Sequence, residues 1–130
     1  KMVTIIDPHL RAADDFAVYA AAKEQGLLVR RADNSSHFEG DCWPGRSAWV
    51  DYLQPAARTF WASRFLPSAY EGSTNTLYTW NDMNEPSVFN GPEVSMNKDT
   101  KNLAGIEHRE WHNLYGMYMH RATAEGLVKR

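Results

Sequence analysis

Thr76-Leu77-Tyr78-Thr79-Trp80-Asn81-Asp82-Met83-Asn84-Glu85-Pro86-Ser87-Val88-Phe89 is the stretch that decides the fold of this chain. Thr76 to about Trp80 reads as a short strand, and Pro86 forbids simple continuation of its ladder. Two carboxylates, Asp82 and Glu85, therefore fall where the strand runs out, with the Trp80 indole and Met83 beside them.

Upstream, Met2-Val3-Thr4-Ile5-Ile6 is an apolar, β-branched run stopped by Asp7-Pro8, and it reads as a buried strand of the parallel kind. Asp14-Asp15 precede a helical run from Phe16 to Gln25, with Gly26 placed as its stop. Strand followed by helix is the unit of a β/α barrel. Leu27-Leu28-Val29-Arg30 reads as a second short strand. The turn signals of Asp33-Asn34-Ser35-Ser36 make it part of an excursion rather than a full barrel strand. His37 to Gln54 reads as a loop, broken by Gly40, Pro44 and Gly45, and Pro55 opens a helix that runs to Phe65.

Downstream, Trp111, Leu114, Tyr115, Tyr118 and Met119 recur at spacings of three and four. That period predicts a final amphipathic helix from Glu107 to about Glu125, ended at Gly126. The expected fold is α/β: a partial TIM (β/α)8 barrel, two barrel strands with an inserted excursion and flanking helices. The chain has 130 residues, whereas an eight-fold barrel needs roughly 250. With no internal repeat or low-complexity linker, residues 1–130 read as a fragment of a single barrel domain.

Charge and composition exclude several functions. Fourteen basic against 16 acidic residues leave a net charge of −2, and no lysine-rich run or basic helix face offers a surface to nucleic acid. No apolar run approaches the ~20 residues of a membrane span. Lys1-Met2-Val3 does not begin a signal peptide, and the start reads as internal to a longer gene product. Cys42 is the only cysteine, so neither an intrachain disulfide nor a cysteine-rich metal site can form. His108 and His112, four apart, are one way to bind zinc, but the third ligand is missing from their surroundings. No metal is expected.

A carboxylate at the carboxyl end of a parallel strand, beside an aromatic wall, suits glycoside hydrolysis, where one carboxylate must approach an anomeric carbon. Spacing alone leaves Asp82 open between that role and capping the following turn. Glu85 is too near in sequence to be assumed the acid partner and reads as a supporting residue that orients Asp82 or the loop. The five tryptophans, six tyrosines and five phenylalanines cluster near Trp43 to Trp61 and Trp80 to Phe89. Each ring either packs in the core or stacks on a sugar face, and closeness to Asp82 favours stacking for Trp43 and Trp80. Asp7 and His9 end the first strand on the same side as Asp82 if both strands share one parallel barrel. Asp7 would buttress the site from behind. His9 is either a hydrogen-bonding wall residue or a satisfied structural histidine.

The stretch Trp80 to Phe89 resembles the nucleophile motif of the family 31 glycoside hydrolases, the retaining α-glucosidases. The likeness extends through Asn90-Gly91-Pro92-Glu93-Val94-Ser95-Met96, Phe38-Glu39-Gly40-Asp41-Cys42-Trp43-Pro44-Gly45 and Glu107-His108-Arg109 to Gly116. It is collinear from Lys1 to Arg130. Within the family these words look like the branch that trims glucose from N-linked glycans in the lumen of the endoplasmic reticulum. The resemblance implies that Asp82 is the nucleophile and that Trp43, Trp80 and Met83 line the glucose site. It implies no cofactor, an oligosaccharide or N-glycan substrate carrying α-1,3-linked glucose, and a regulatory β-subunit as a possible partner. The family's acid/base carboxylate lies downstream of the nucleophile, and no counterpart of its motif occurs before Arg130. Half of the catalytic pair is thus expected here, and the isolated fragment is expected to be inactive. The family commonly has an aromatic where this sequence has Asp41, which leaves the rim beyond the first sugar open.

Two other readings remain. Another member of the family acting on α-1,4 glucans would carry much the same motif, and Val94-Ser95-Met96 with Glu107-His108-Arg109 favours the N-glycan branch over it. A non-catalytic sugar-binding fragment would keep Trp43 and Trp80 but would have no need of an ionised Asp82 at a strand end.

Overall fold

The computed structural model describes all 130 residues. Along the chain run β1 (Met2–Ile6), β2 (His9–Arg11), α1 (Ala17–Glu24), β3 (Glu39–Cys42), β4 (Gly45–Trp49), α2 (Pro55–Ser63), β5 (Leu77–Asn81) and α3 (His112–Val128). β1 and β5 form a parallel pair, in register from Met2 opposite Leu77 to Ile6 opposite Asn81. β2, β4 and β3 form a separate antiparallel sheet in that order.

β1 is parallel as its composition predicts, yet it is not buried. Met2, Val3 and Ile5 are exposed, as are Tyr78 and Trp80 on β5, because each strand pairs only with the other. The hairpin β3–β4 was hidden in what reads as a loop. Its strands, Glu39-Gly40-Asp41-Cys42 and Gly45-Arg46-Ser47-Ala48-Trp49, hold no β-branched residue, so the usual strand signal is missing. Leu27 to Arg30 does not form a strand of its own. It runs extended beside β4, where the Val29 amide donates to the Trp49 carbonyl at 2.9 Å and Leu28 bridges Val50. Arg30 then bridges both His37 and Lys101.

The core lies between the antiparallel sheet and helices α2 and α3. Trp49, Val50, Tyr52, Tyr115 and Met119 are fully buried in it. Tyr52 sits edge-on to Trp61 at 5.2 Å and to Tyr115 at 5.3 Å, geometries favoured by the ring quadrupoles. Two buried polar groups tie the layers together: Tyr115 Oη donates to the Val50 carbonyl at 2.9 Å and Trp61 Nε1 to Thr123 Oγ1 at 2.9 Å. Buried Asp51 accepts from the amides of Leu53 at 3.2 Å and Leu103 at 2.8 Å, which stitches the segment after β4 to a distant loop.

Pro55 opens α2 at its first turn, where the missing N–H costs no helical bond. α1 begins with no side-chain cap, so Asp14 and Asp15 do not serve as one. Asp14 instead pairs with Lys23 at 2.9 Å and Asp15 with Arg11 at 2.8 Å. α3 also departs from expectation at both ends. His108–Glu110 form a short 3-10 turn, the helix starts at His112, and it continues through Gly126. Gly126 is buried against α2: a Cβ there would lie 2.6 Å from the Ala62 carbonyl oxygen. The glycine that looked like a stop is a contact surface between helices. Just past α3, the Arg130 guanidinium donates to the carbonyls of Thr74 and, at 3.1 Å, of Leu77.

Candidate active site

Both parallel strands end in a carboxylate. Asp7 follows β1 and Asp82 follows β5, each one residue past the register pair Ile6 and Asn81. The Asp82 amide still donates to the Ile6 carbonyl at 3.3 Å, and the Asn81 side-chain amide donates to the same oxygen at 3.3 Å. Met83 then takes a φ of +55°, a left-handed conformation uncommon outside glycine. Its amide donates to Asp82 Oδ1 at 2.9 Å. The strand thus stops abruptly and one carboxylate oxygen is held by the backbone that stops it.

Asp7 Oδ1 is buried with no hydrogen-bond partner, and Asp7 Oδ2 lies 3.7 Å from His9 Nε2. Burial raises the Asp7 pKa from 3.8, and the like charges of Asp82 and Glu85 raise it further. His9 is buried, and burial lowers its pKa to about 4. At neutral pH its contact with Asp7 therefore joins a carboxylate to an uncharged ring and is not an ion pair, although the distance would allow one.

Glu85 is exposed and accepts from Ser87 Oγ at 2.8 Å, a bond internal to the loop. It reaches the strand ends through its charge, felt at Asp7. Trp43 stands on the turn between β3 and β4, 69% exposed, with Phe89 edge-on at 4.9 Å. Trp80 is 54% exposed and stands opposite Ile5 in the parallel register. Met83 is half-buried and packs against the core.

These residues do not form one continuous wall. Asp7, His9 and Trp43 border an apolar hollow with Ile5, Ile6 and Trp61, whereas Asp82, Trp80 and Met83 are not among its lining residues. Glu85 faces a separate polar cleft shared with Glu93, Lys98, Arg109 and His112. His108 Nε2 and His112 Nδ1 lie 2.6 Å apart and hydrogen-bond each other, so each ring is the other's partner at that nitrogen. Two contacts escaped the sequence reading. The Phe89 amide donates to the Asp41 carbonyl at 2.8 Å, and the Asp41 amide donates to Asn90 Oδ1 at 2.8 Å. No periodicity could reveal a contact between partners 49 residues apart.

Comparison with known proteins adds to this geometry. The family described as "Glycosyl hydrolases family 31 TIM-barrel domain" matches residues 1–130. Neutral alpha-glucosidase AB of Dictyostelium discoideum is 52% identical over all 130 residues, and the chain spans 14% of that relative's length. A crystal structure of the glucosidase II alpha subunit in an alpha3-Glc2-bound form superposes with a TM-score of 0.94 at 46% identity, covering 98% of this chain and 14% of the other. A crystal structure of the ER glucosidase II heterodimeric complex, catalytic subunit with the binding domain of the regulatory subunit, gives the same TM-score of 0.94 and 46% identity over the same shares. No helix of this chain is long and apolar enough to cross a membrane.

Proposed function

Because the chain belongs to glycoside hydrolase family 31, we propose that it supplies the nucleophile of a retaining α-glucosidase, with Asp82 attacking the anomeric carbon of a terminal glucose. The observation that carries the reading is the end of β5, where Asp82 has one oxygen fixed by the Met83 amide directly after the last ladder position. A nucleophile needs such fixed aim.

An Asp82 oxygen forms a bond to the anomeric carbon as the glycosidic carbon–oxygen bond breaks. The leaving oxygen takes its proton from an acid outside residues 1–130. Water then attacks the same carbon, giving its proton back to that external group, the acyl–sugar bond breaks, and Asp82 returns as a carboxylate, so two inversions give net retention. Asp7 buttresses Asp82 from the neighbouring strand, with His9 beside it, and Glu85 shapes the loop. Trp43, Trp80 and Met83 offer apolar surface to the sugar, whose axial C–H face matches an indole plane.

β1 and β5 are two neighbouring strands of the family's barrel, and the segment with β2, β3 and β4 is the excursion between them. Residues 1–130 are one segment of a single catalytic barrel domain, and turnover belongs to the full-length protein. The substrate is an oligosaccharide ending in α-1,3-linked glucose, as on N-glycan arms in the lumen of the endoplasmic reticulum. The glucosidase II likeness supports that linkage, and the heterodimer supports a regulatory subunit as partner. The deciding test is Asp82→Asn in the full-length protein, since the amide is isosteric but cannot attack as an anion. Turnover of an activated α-glucoside should fall to well under about a tenth of wild type, with the circular dichroism spectrum unchanged; a rate above that would sink the assignment.

A further inference from the structure

The hairpin β3–β4 and the loop after Asp82 meet in an interlock that the chemistry of Asp82 does not use. The Phe89 amide donates to the Asp41 carbonyl at 2.8 Å, and the Asp41 amide donates to Asn90 Oδ1 at 2.8 Å. Asp41 therefore makes both bonds of a ladder rung, and the Asn90 carboxamide oxygen stands where a strand neighbour would offer a backbone carbonyl. The approach is close: a Cβ on Gly40 would lie 2.6 Å from Val88 Cγ1 and 3.3 Å from Asn90 Oδ1. Only glycine lets the two segments touch there.

The interlock matters because of what each segment carries. Trp43 stands on the two-residue turn of the hairpin and is 69% exposed; its one ring contact is Phe89, centroid to centroid 4.9 Å at an interplanar angle of 86°. A ring so exposed is not held by packing, so its place follows that of the hairpin. Phe89 in turn follows the loop from Asp82. We propose that Asn90 is a positioning residue: its side-chain oxygen locks the Trp43 hairpin to the Phe89 loop and so sets the aromatic surface on which the sugar rests. The inference builds on the sugar-binding role given above to Trp43.

As a positioning residue Asn90 acts on binding through Trp43. In the full-length protein, with an α-1,3-linked glucose disaccharide as substrate, Asn90→Ala should raise KM roughly fivefold, the effect of one net hydrogen bond, while kcat stays within about a factor of two. Asn90→Asp keeps the acceptor oxygen and should return KM to within about twofold of wild type. In the Trp43→Ala background, Asn90→Ala should add nothing further, because the residue it positions is gone. If Asn90→Ala fails to fold, Asn90→Ser, whose shorter side chain cannot span to Asp41, reads the same bond.

Additive KM effects in the double variant, a loss confined to kcat, or no rescue by Asn90→Asp would overturn the positioning role while leaving Asp82 and Trp43 in theirs. Unchanged kinetics in both Asp82→Asn and Trp43→Ala would instead overturn the site reading and this inference together.

Discussion

Asp7 and Asp82 stand side by side, each the first residue beyond an aligned pair of parallel strands, Ile6 opposite Asn81. Two carboxylates in that arrangement cannot both be comfortable as anions. Asp7 bears the strain, since burial comes first among the causes that raise its pKa and the charges of Asp82 and Glu85 follow.

The sign of the resulting pH effect is set by linkage. Asp7 holds its proton to higher pH when folded than when unfolded, so its favourable contribution is present below the unfolded value and lost as pH rises through the raised folded value. Asp7→Asn in the full-length protein should therefore melt above wild type at pH 7, and the gap should close as both are taken to acid below the ordinary Asp range. Scanning calorimetry at the two pH values decides it, and a variant that melts lower at pH 7 contradicts the account.

Retention of configuration is the second expectation. With Asp82 as nucleophile, the glucose first released from an α-glucoside should be the α anomer, later equilibrating by mutarotation. Proton NMR of the early product that shows β-glucose first would exclude the mechanism whatever the kinetics of Asp82→Asn.

Buried histidines should make the fold sensitive to mild acid. Burial holds His9 and His108 at about 4, with the His112 charge adding at His108, against 6.5 when unfolded. Between those values the unfolded chain binds the extra protons, so stability falls as pH drops from 6.5 to 4. Each histidine contributes at most about 3 kcal/mol to that loss. Urea midpoints across this range should show the slope, and His9→Gln with His108→Gln should flatten it; an unaltered slope would assign the acid sensitivity elsewhere.

Gly126→Ala pits two effects against each other. Alanine improves helix propensity by up to about 1 kcal/mol, but its Cβ would meet the Ala62 carbonyl oxygen at 2.6 Å, Ala62 Cα at 2.9 Å and Phe65 Cδ2 at 3.0 Å. Two of those atoms are backbone and can yield only if α2 and α3 part, at a cost of about 1–3 kcal/mol. Packing should win, and the variant should lose roughly 1–2 kcal/mol in urea titration. A more stable variant would mean that the helices separate freely.

Local rules carried the sequence reading furthest where one segment decides its own conformation. The β-branched run of β1, the Pro-initiated α2 and the abrupt end of β5 at Asp82 are all legible in that way. What escaped depends on partners far away in sequence. β3 and β4 hold no β-branched residue and owe their strand form to each other and to β2. Gly126 reads as a stop until Ala62 is seen beneath it, and nothing in the sequence links Asn90 to Asp41 until the Asp41 amide is seen to donate to it. Asp7 and Asp82 could be guessed to share an edge, but only the register shows them as neighbours.

Arg130 gives β5 a fixed address along its own axis. A parallel strand that slides by two residues, roughly 7 Å, presents the same faces as before, so facing alone does not set how far Asp82 projects. The guanidinium beyond α3 grips the carbonyls of Thr74 and Leu77 at the opposite end of the strand from Asp82. It acts as a bolt against ratcheting. The axial position of the Asp82 carboxylate is then set partly by a side chain beyond α3, at the far end of β5.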